Sequence, residues 1–305
     1  MTQSRPQVFF VIAVCLPRPG VLLTMAHGPH IGCGQRPGTG FASAATMVHA
    51  MSYADFVERL PNTRWFRYAS PAMFYGLAGR LLPWCWAAAA LFGVIGLVVG
   101  LALAPTDVQQ GDAYRIIFIH VPAAWMSMVI YLVMAFWGGV GLVFNTRLSA
   151  MMATALAPTG ALMTLIALWT GAMWGKPTWG VWWQWDARLI SEMVLLLLYL
   201  GVMALQAASD NPRRGDRAGA ILALVGVVNV PIIYFSVEWW NTLHQGASVS
   251  LMRAPGMAGA MVAGVLLMVA AFWAWAIAVA LHRVRSIILE RESSSDWIAQ
   301  LEQAH

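Results

Sequence analysis

Charged residues are scarce in this sequence: they make up 10% of it, whereas hydrophobic residues make up 60%. Soluble globular domains carry about 25% charged residues, so the composition excludes that class and indicates a protein with several membrane spans. The formal net charge of +5 would suggest nucleic-acid binding in a soluble chain. Here the basic residues lie in short connections between apolar runs, where they set membrane topology instead.

Cysteine is also scarce, and the common catalytic motifs are missing. Cys15, Cys33 and Cys85 are far apart and form neither CxxC nor CxxCH spacing, which argues against a metal or redox motif built on thiols. The sequence has no glycine-rich phosphate loop, no GxSxG and no HExxH. We therefore expect a protein that is not an enzyme.

Six apolar runs are present, and each is long enough to form a helix across the hydrocarbon core. They cover approximately Leu82 to Ala104, Val121 to Phe144, Met151 to Met173, Leu189 to Ala208, Ala218 to Phe235, and Met257 to Leu281. This pattern predicts an all-α polytopic membrane protein with six transmembrane helices. We assign the membrane domain to residues 82–282.

Arginine predicts the orientation of these helices, because cytoplasmic connections carry an excess of basic residues. Every second connection is arginine-rich, as are the segments before the first run and after the last. These arginines are Arg59, Arg64, Arg67, Arg80, Arg147, Arg213, Arg214, Arg217, Arg283, Arg285 and Arg291. Both termini, including the tail at 283–305, are therefore predicted to be cytoplasmic.

The N-terminal part of the chain differs from the rest. Val8 to Leu16 is apolar but shorter than the roughly 20 residues that a span needs, and the Gly/Pro-rich stretch after it has no periodicity. A signal peptide is one interpretation; we favour a non-native or disordered extension at 1–50, with the functional start at Met47 or Met51. Residues 51–81 mix arginine with aromatic residues, which suits a cytoplasmic interfacial segment.

The tryptophan-rich segment, residues 174–188, reads WGKPTWGVWWQWDAR and is predicted to face the outside. Gly175, Pro177 and Gly180 disfavour a continuous helix across its first half, which predicts a loop or a broken helix. An aromatic belt at the membrane interface is the simpler interpretation, but the indoles are denser than anchoring needs. We favour a platform for a flat conjugated ligand, with Lys176 and Arg188 pairing with its acidic groups. The indoles belong to Trp174, Trp179, Trp182, Trp183 and Trp185.

A few polar or helix-disturbing residues stand out around the fourth and fifth runs. Asp186 is placed to cap the start of the fourth helix. Arg188 and Glu192 are four residues apart, so Glu192 is either a partner in a local ion pair or a functional intramembrane carboxylate. Asn229 and Pro231 are predicted to interrupt the fifth run.

Two histidines are predicted on the outer side: His120 at the start of the second run, and His244, which follows Trp239 and Trp240. A single interfacial histidine is usually a polar cap. A pair beside a tryptophan-rich surface suggests haem, which is flat, apolar across its rings, anionic at its propionates, and able to take two axial imidazoles.

These stretches resemble the haem exporter protein C (CcmC) family of cytochrome c maturation. The resemblance rests on YRIIFIHVPAAW, TGAMWGKPTWGVWWQWDARLISEMVLL, GVVNVPIIYFSVEWWNTLHQG and the six-span layout, and it covers approximately Leu82 to Leu289. It implies that the tryptophan-rich segment, called the WWD domain in that family, binds haem b as transient cargo on the periplasmic side. His120 and His244 match the family's axial ligands.

The resemblance also implies a setting and partners. The setting is the bacterial inner membrane, and the expected role is delivery of haem to the periplasmic chaperone CcmE, with CcmD, CcmA and CcmB as further partners. Two alternatives come from other classes. One is an ion- or proton-coupled transporter built on Glu192, Asn229 and Pro231, and the other is a membrane enzyme that uses Asp186 and His244 on a lipid-linked substrate.

Overall fold

The apolar runs form helices, because a chain in hydrocarbon must satisfy its backbone hydrogen bonds within each segment. A computed structural model describes residues 66–240, 242–244 and 257–303, which belong to the compact unit Pro61–His305. The predicted extension at 1–50, and residues 51–65 of the predicted interfacial segment, lie outside the described residues.

The α-helices of these ranges are numbered here in chain order. They are α1 (Pro71–Val98), α2 (Ile117–Phe144), α3 (Arg147–Trp179), α4 (Ala187–Ala207), α5 (Pro212–Gly226), α6 (Asn229–Trp239), α7 (Gly259–Arg291) and α8 (Asp296–Gln303). A π-helical turn, Val99–Leu103, extends α1, and a 3-10 turn, Asp112–Ile116, precedes α2. The described ranges contain no strand, which confirms the all-α prediction.

Six helical stretches are long and apolar enough to cross a membrane, which confirms the predicted number. They are Pro71–Leu103, Asp112–Phe144, Arg147–Trp179, Ala187–Ala207, Pro212–Trp239 and Gly259–Arg291. Four of them have 33 residues, or about 50 Å at 1.5 Å per residue, whereas the hydrocarbon core is about 30 Å thick. The helices therefore extend beyond the apolar runs, and α1 begins within the predicted interfacial segment.

The helix ends form two faces. We call the site face the one formed by the ends at Trp179, Ala187 and Trp239, and the opposite face the one formed by the ends at Phe144 and Pro212. A cleft at the opposite face gathers arginines from connections and helix ends that are far apart in sequence: Arg147, Arg213, Arg214, Arg217 and Arg291. Five of the eleven arginines that predicted a common side therefore share one end of the bundle.

The core lies between α2, α3 and α4. The Tyr131 and Tyr199 rings are fully buried and meet edge to face at 5.0 Å. The Tyr199 hydroxyl donates to the Ser127 carbonyl at 2.7 Å, so a buried polar group is satisfied by the neighbouring helix. This packing fixes the three helices against one another and sets their site-face ends side by side.

The fifth span is broken, as Asn229 and Pro231 predict. The α5 helix ends at Gly226 and α6 begins at Asn229. Proline lacks the N–H that a continuous helix would use at that position, and the Asn229 amide donates instead to the Ser191 carbonyl of α4 at 2.9 Å. The break is thereby tied to the neighbouring span.

The prediction for the first half of the tryptophan-rich segment is wrong, because α3 runs without interruption through Gly175 and Pro177 to Trp179. Gly175 is buried, and a Cβ there would lie 3.0 Å from the Trp179 ring, so this glycine serves close packing within the helix. Pro177 lacks the N–H that would bond the carbonyl of residue 173, but it lies in the last turn, so that single bond is lost only two residues before the helix ends. The helix ends at Gly180, which adopts a left-handed φ of 79°.

Candidate functional site

A cleft opens at the site face between α2, α3, α4 and the connection after α6. It encloses about 740 Å³, including its mouth. Most of its wall is apolar, and its polar or aromatic lining includes His120, Trp174, Trp179, Arg188, Glu192 and His244. The structure thus brings together predicted site residues from three separate stretches of the sequence.

The two predicted histidines face each other across this cleft. The centroids of the His120 and His244 rings are 6.3 Å apart, and the ring planes are inclined by 36°. Each ring also meets an indole edge to face: His120 meets Trp174 at 5.6 Å, and His244 meets Trp179 at 6.2 Å. The pair and two tryptophans of α3 therefore form one aromatic cluster.

Packing at the start of α2 positions His120. Phe118, two residues earlier, is fully buried, and its ring lies against Gly100 of the π-helical turn and Gly264 of α7. A Cβ at either glycine would lie 2.7 Å from that ring, which is closer than Cβ atoms approach other atoms in proteins, so both positions need glycine for this packing. Phe118 therefore holds the first turn of α2 in place, and within that turn the His120 Nδ1 atom lies 3.0 Å from Thr170 Oγ1 of α3.

Three polar residues were missed by the sequence analysis: Gln110 and Thr178, which line the cleft, and Thr170, which contacts His120. The Trp174 indole N–H donates to Gln110 Oε1 at 2.7 Å, which ties the connection between the first two spans to the cleft. Thr178 Oγ1 donates to the Trp174 carbonyl at 2.7 Å. Gln110 lies within a polar stretch of an outer connection, and this position was the only feature of the sequence that could have pointed to it.

The ion pair between Arg188 and Glu192, one of the two interpretations left open for Glu192, is not formed, although both residues line the cleft. Among the described residues the ion pairs are Arg115–Asp112, Arg147–Glu292 and Arg291–Asp216. Arg188 Nη1 instead donates to the Ile233 carbonyl of α6 at 2.9 Å. Glu192, which is 7% exposed, has its Oε1 atom 2.8 Å from Ser127 Oγ of α2, an oxygen that also lies 2.7 Å from the Ala124 carbonyl. Each side chain reaches a different helix, so the two do not neutralise each other by direct contact.

Asp186 caps α4, which confirms the role predicted for it. Its backbone is extended, and its Oδ1 atom accepts from the Leu189 N–H at 2.9 Å. A carboxylate in this position satisfies a free amide and interacts favourably with the helix dipole. It does not line the cleft, so it acts by orienting the first turn that carries Arg188.

The remaining predicted aromatic residues and Lys176 do not line the cleft. Trp182 and Trp185 are 56% and 73% exposed, Trp183 packs edge to face against Trp185, and Trp239 and Trp240 are 56% and 49% exposed. Lys176 Nζ donates to the Gly180 carbonyl at 3.1 Å and lies 6.0 Å from the Trp182 ring. These side chains suit an interfacial aromatic surface around the cleft mouth.

The spacing of the histidines fits a shared metal ion. With metal–nitrogen distances of about 2 Å and ring centres roughly 1 Å further back, two imidazoles on one ion have centroids about 6 Å apart. The observed separation is 6.3 Å. Within the described ranges, no group of three or more His, Cys, Asp or Glu residues could hold a metal ion. Two imidazoles alone would leave further coordination positions of such an ion open.

Comparisons with known proteins agree on one family. The family model described as Heme exporter protein C matches residues 64–299. The chain is 46% identical over 233 residues to Heme exporter protein C of Escherichia coli (strain K12), covering 76% of this chain and 94% of the relative. It is 47% identical over 227 residues to the Bradyrhizobium diazoefficiens protein of that description, covering 74% and 86%.

Proposed function

The chain belongs to the haem exporter protein C family, and on that premise we propose that it binds haem between His120 and His244 in the site-face cleft. Membership of this family places the chain in haem export and the maturation of c-type cytochromes. The proposed cargo is haem b, bound transiently and without chemical change, so the protein acts as a carrier and not as an enzyme.

The observation that carries the proposal is the separation of the two imidazoles. Their centroids lie 6.3 Å apart, which matches two axial ligands of one iron, and haem iron accepts axial imidazoles above and below the ring. Trp174 and Trp179 flank the pair, and their apolar surfaces suit the porphyrin. His120 and His244 would hold the iron, and the α3 indoles would pack around the macrocycle.

The propionates need a cation, and Arg188 is the better placed of the two predicted candidates. It lines the cleft, and a guanidinium can hold a carboxylate through two parallel hydrogen bonds. Lys176 is engaged with the Gly180 carbonyl outside the cleft. We therefore assign the propionate contact to Arg188 and the surrounding exposed indoles to contacts at the mouth.

The setting we propose is the bacterial inner membrane, with the site face in the periplasm. The support is the gathering of arginines at the opposite face, as the excess of basic residues on cytoplasmic segments requires. From this face the protein would deliver haem to the chaperone CcmE, with CcmD, CcmA and CcmB as partners. The sequence carries no nucleotide-binding motif, so ATP hydrolysis is assigned to a partner.

The two alternative functions have weaker support. The ion- or proton-coupled transporter needs Glu192, Asn229 and Pro231 as its core, but the Asn229 amide bridges the break in the fifth span to α4, which is a structural role. The membrane enzyme needs Asp186 beside His244, but Asp186 caps α4 outside the cleft lining.

The absorption spectrum of the purified protein, loaded with haem b, tests the proposal. Two strong nitrogen ligands should give six-coordinate, low-spin iron. His120→Ala and His244→Ala should each open one axial position and shift the spectrum toward high spin, and added imidazole should restore the low-spin form. A His120→Ala/His244→Ala double variant that binds haem with the parent spectrum would refute the ligand assignment.

A further inference from the structure

The wall of α3 places one hydroxyl against the ring of His120. Thr170 Oγ1 lies 3.0 Å from His120 Nδ1, and the same oxygen lies 2.6 Å from the Ile166 carbonyl oxygen, one turn earlier in α3. Thr170 is 9% exposed, and the same edge of the His120 ring packs against Gly171, where a Cβ would lie 3.1 Å from Cε1 and 3.7 Å from Nδ1. The Nδ1 edge of the imidazole is thus held closely against α3.

These two distances determine where the protons lie. Two oxygens 2.6 Å apart need a hydrogen between them, and a carbonyl has none to give, so the Thr170 hydroxyl donates to Ile166. A hydroxyl has a single proton, so toward His120 the Thr170 oxygen can only accept. His120 must therefore carry its proton on Nδ1, which leaves the lone pair on Nε2.

We propose that Thr170 is a positioning residue that fixes the ring orientation and the Nδ1–H tautomer of His120, so that Nε2 is presented as the iron ligand. The inference rests on the proposed function, since it takes His120 as a haem ligand. A metal-bound histidine commonly donates its other ring N–H to an oxygen, and that bond orients the ring and makes the ligating nitrogen more electron-donating. Thr170, backed by the Ile166 carbonyl, supplies that oxygen.

The chain offers matched variants for a test. Thr170→Val keeps the shape of the side chain but removes the accepting oxygen, whereas Thr170→Ser keeps the oxygen. Thr164→Val is the control for a buried threonine of the same helix: Thr164 is fully buried and donates to the Gly160 carbonyl at 2.8 Å, but it has no contact with either histidine. Thermal unfolding of each haem-free protein shows whether the fold is intact.

Two measurements follow, one without haem and one with it. Nitrogen-15 NMR of histidine-labelled, haem-free protein, with His120→Gln to assign the signal, should show Nδ1–H at His120 in the parent, Thr170→Ser and Thr164→Val proteins. In Thr170→Val the fraction of His120 with Nδ1–H should fall. With haem b bound, Thr170→Val should lose affinity by about 10- to 100-fold, gain a high-spin fraction and show a more positive reduction potential, whereas Thr170→Ser should match the parent.

The outcomes separate this inference from the proposed function. If the parent shows the Nδ1–H tautomer and Thr170→Val loses it, but no variant binds haem, the positioning role stands and the haem function fails. If His120→Ala changes the haem spectrum while Thr170→Val leaves tautomer, spectrum and potential as in the parent, the positioning role fails and the haem function stands. Equal losses in Thr170→Ser and Thr170→Val would also overturn it, because the hydroxyl would then be irrelevant.

Discussion

Removal of the Arg188 guanidinium gives the clearest test of how the cleft recognises an anionic cargo. In Arg188→Gln the cleft loses the cation we assign to the propionates, and α4 loses its hydrogen bond to the Ile233 carbonyl. That carbonyl keeps Ser236 Oγ as a donor at 2.8 Å, so it is not left unsatisfied. The haem-free protein should therefore lose only about 1 kcal/mol of stability.

The effect on haem should be larger. A hydrogen bond that involves a charged group contributes about 1.5–3 kcal/mol, and each 1.4 kcal/mol is tenfold in affinity, so Arg188→Gln should bind haem b roughly 10- to 150-fold more weakly. The axial spectrum of the haem that remains should be unchanged, because His120 and His244 are untouched. Lys176→Gln removes one positive charge from the same segment outside the cleft, and it should change the affinity less than about threefold.

The assay is titration of the purified proteins with haem b, followed at the absorption band of the bound form, beside thermal unfolding of the haem-free proteins. The contrast between the two variants is the test. Equal losses would mean that the segment acts through its net charge and not through a directed contact. A larger loss for Lys176→Gln would place the propionates at the mouth of the cleft and refute the assignment to Arg188.

Three further predictions concern packing, capping and topology. Gly160→Ala should lose about 1–3 kcal/mol of stability in a thermal unfolding assay, because the added methyl would collide with the Tyr199 ring. Gly76→Ala is the control: nothing lies within 4 Å of the new atom, so this variant should behave as the parent in the same assay. Asp186→Asn should keep the α4 cap, whereas Asp186→Ala should lower the stability of the protein by about 1 kcal/mol. The absorption spectrum of bound haem should be unchanged in both variants. A change of spin state would mean that Asp186 contacts the haem. The topology test uses a variant without native cysteines. A cysteine introduced at Gln184 should react with an impermeant thiol reagent added from the periplasm, whereas a cysteine introduced at Asp210 should not. The reverse pattern would overturn the proposed orientation.

Much of the architecture follows from local properties of the sequence. Hydropathy over about 20 residues is enough to find six spans, because each helix in lipid must satisfy its own backbone whatever its neighbours are. The break at Asn229 and the cap at Asp186 are equally local, since a proline or a capping carboxylate acts on amides within one turn. The family could be recognised for a related reason, because its motifs are contiguous.

The predictions that the structure contradicts concern contacts between residues and not local properties. Gly175 and Pro177 suggested a break, but burial of Gly175 against Trp179 and the position of Pro177 in the last turn keep α3 helical. The sequence does not distinguish the five indoles of the tryptophan-rich segment from one another. Of these five, only Trp174 and Trp179 line the cleft, because α3 extends to Trp179 and carries those two side chains inward.

The sequence alone therefore determined the number of spans, the break in the fifth, the cap on the fourth and the two histidines as candidates. Tertiary structure decided that the histidines lie 6.3 Å apart, that Arg188 and not Lys176 enters the cleft, and that Thr170 meets His120 from a helix 50 residues later. The physical reason is that burial and capping depend on neighbours along the chain. A contact between side chains of different helices depends on how those helices pack, which no window of the sequence contains.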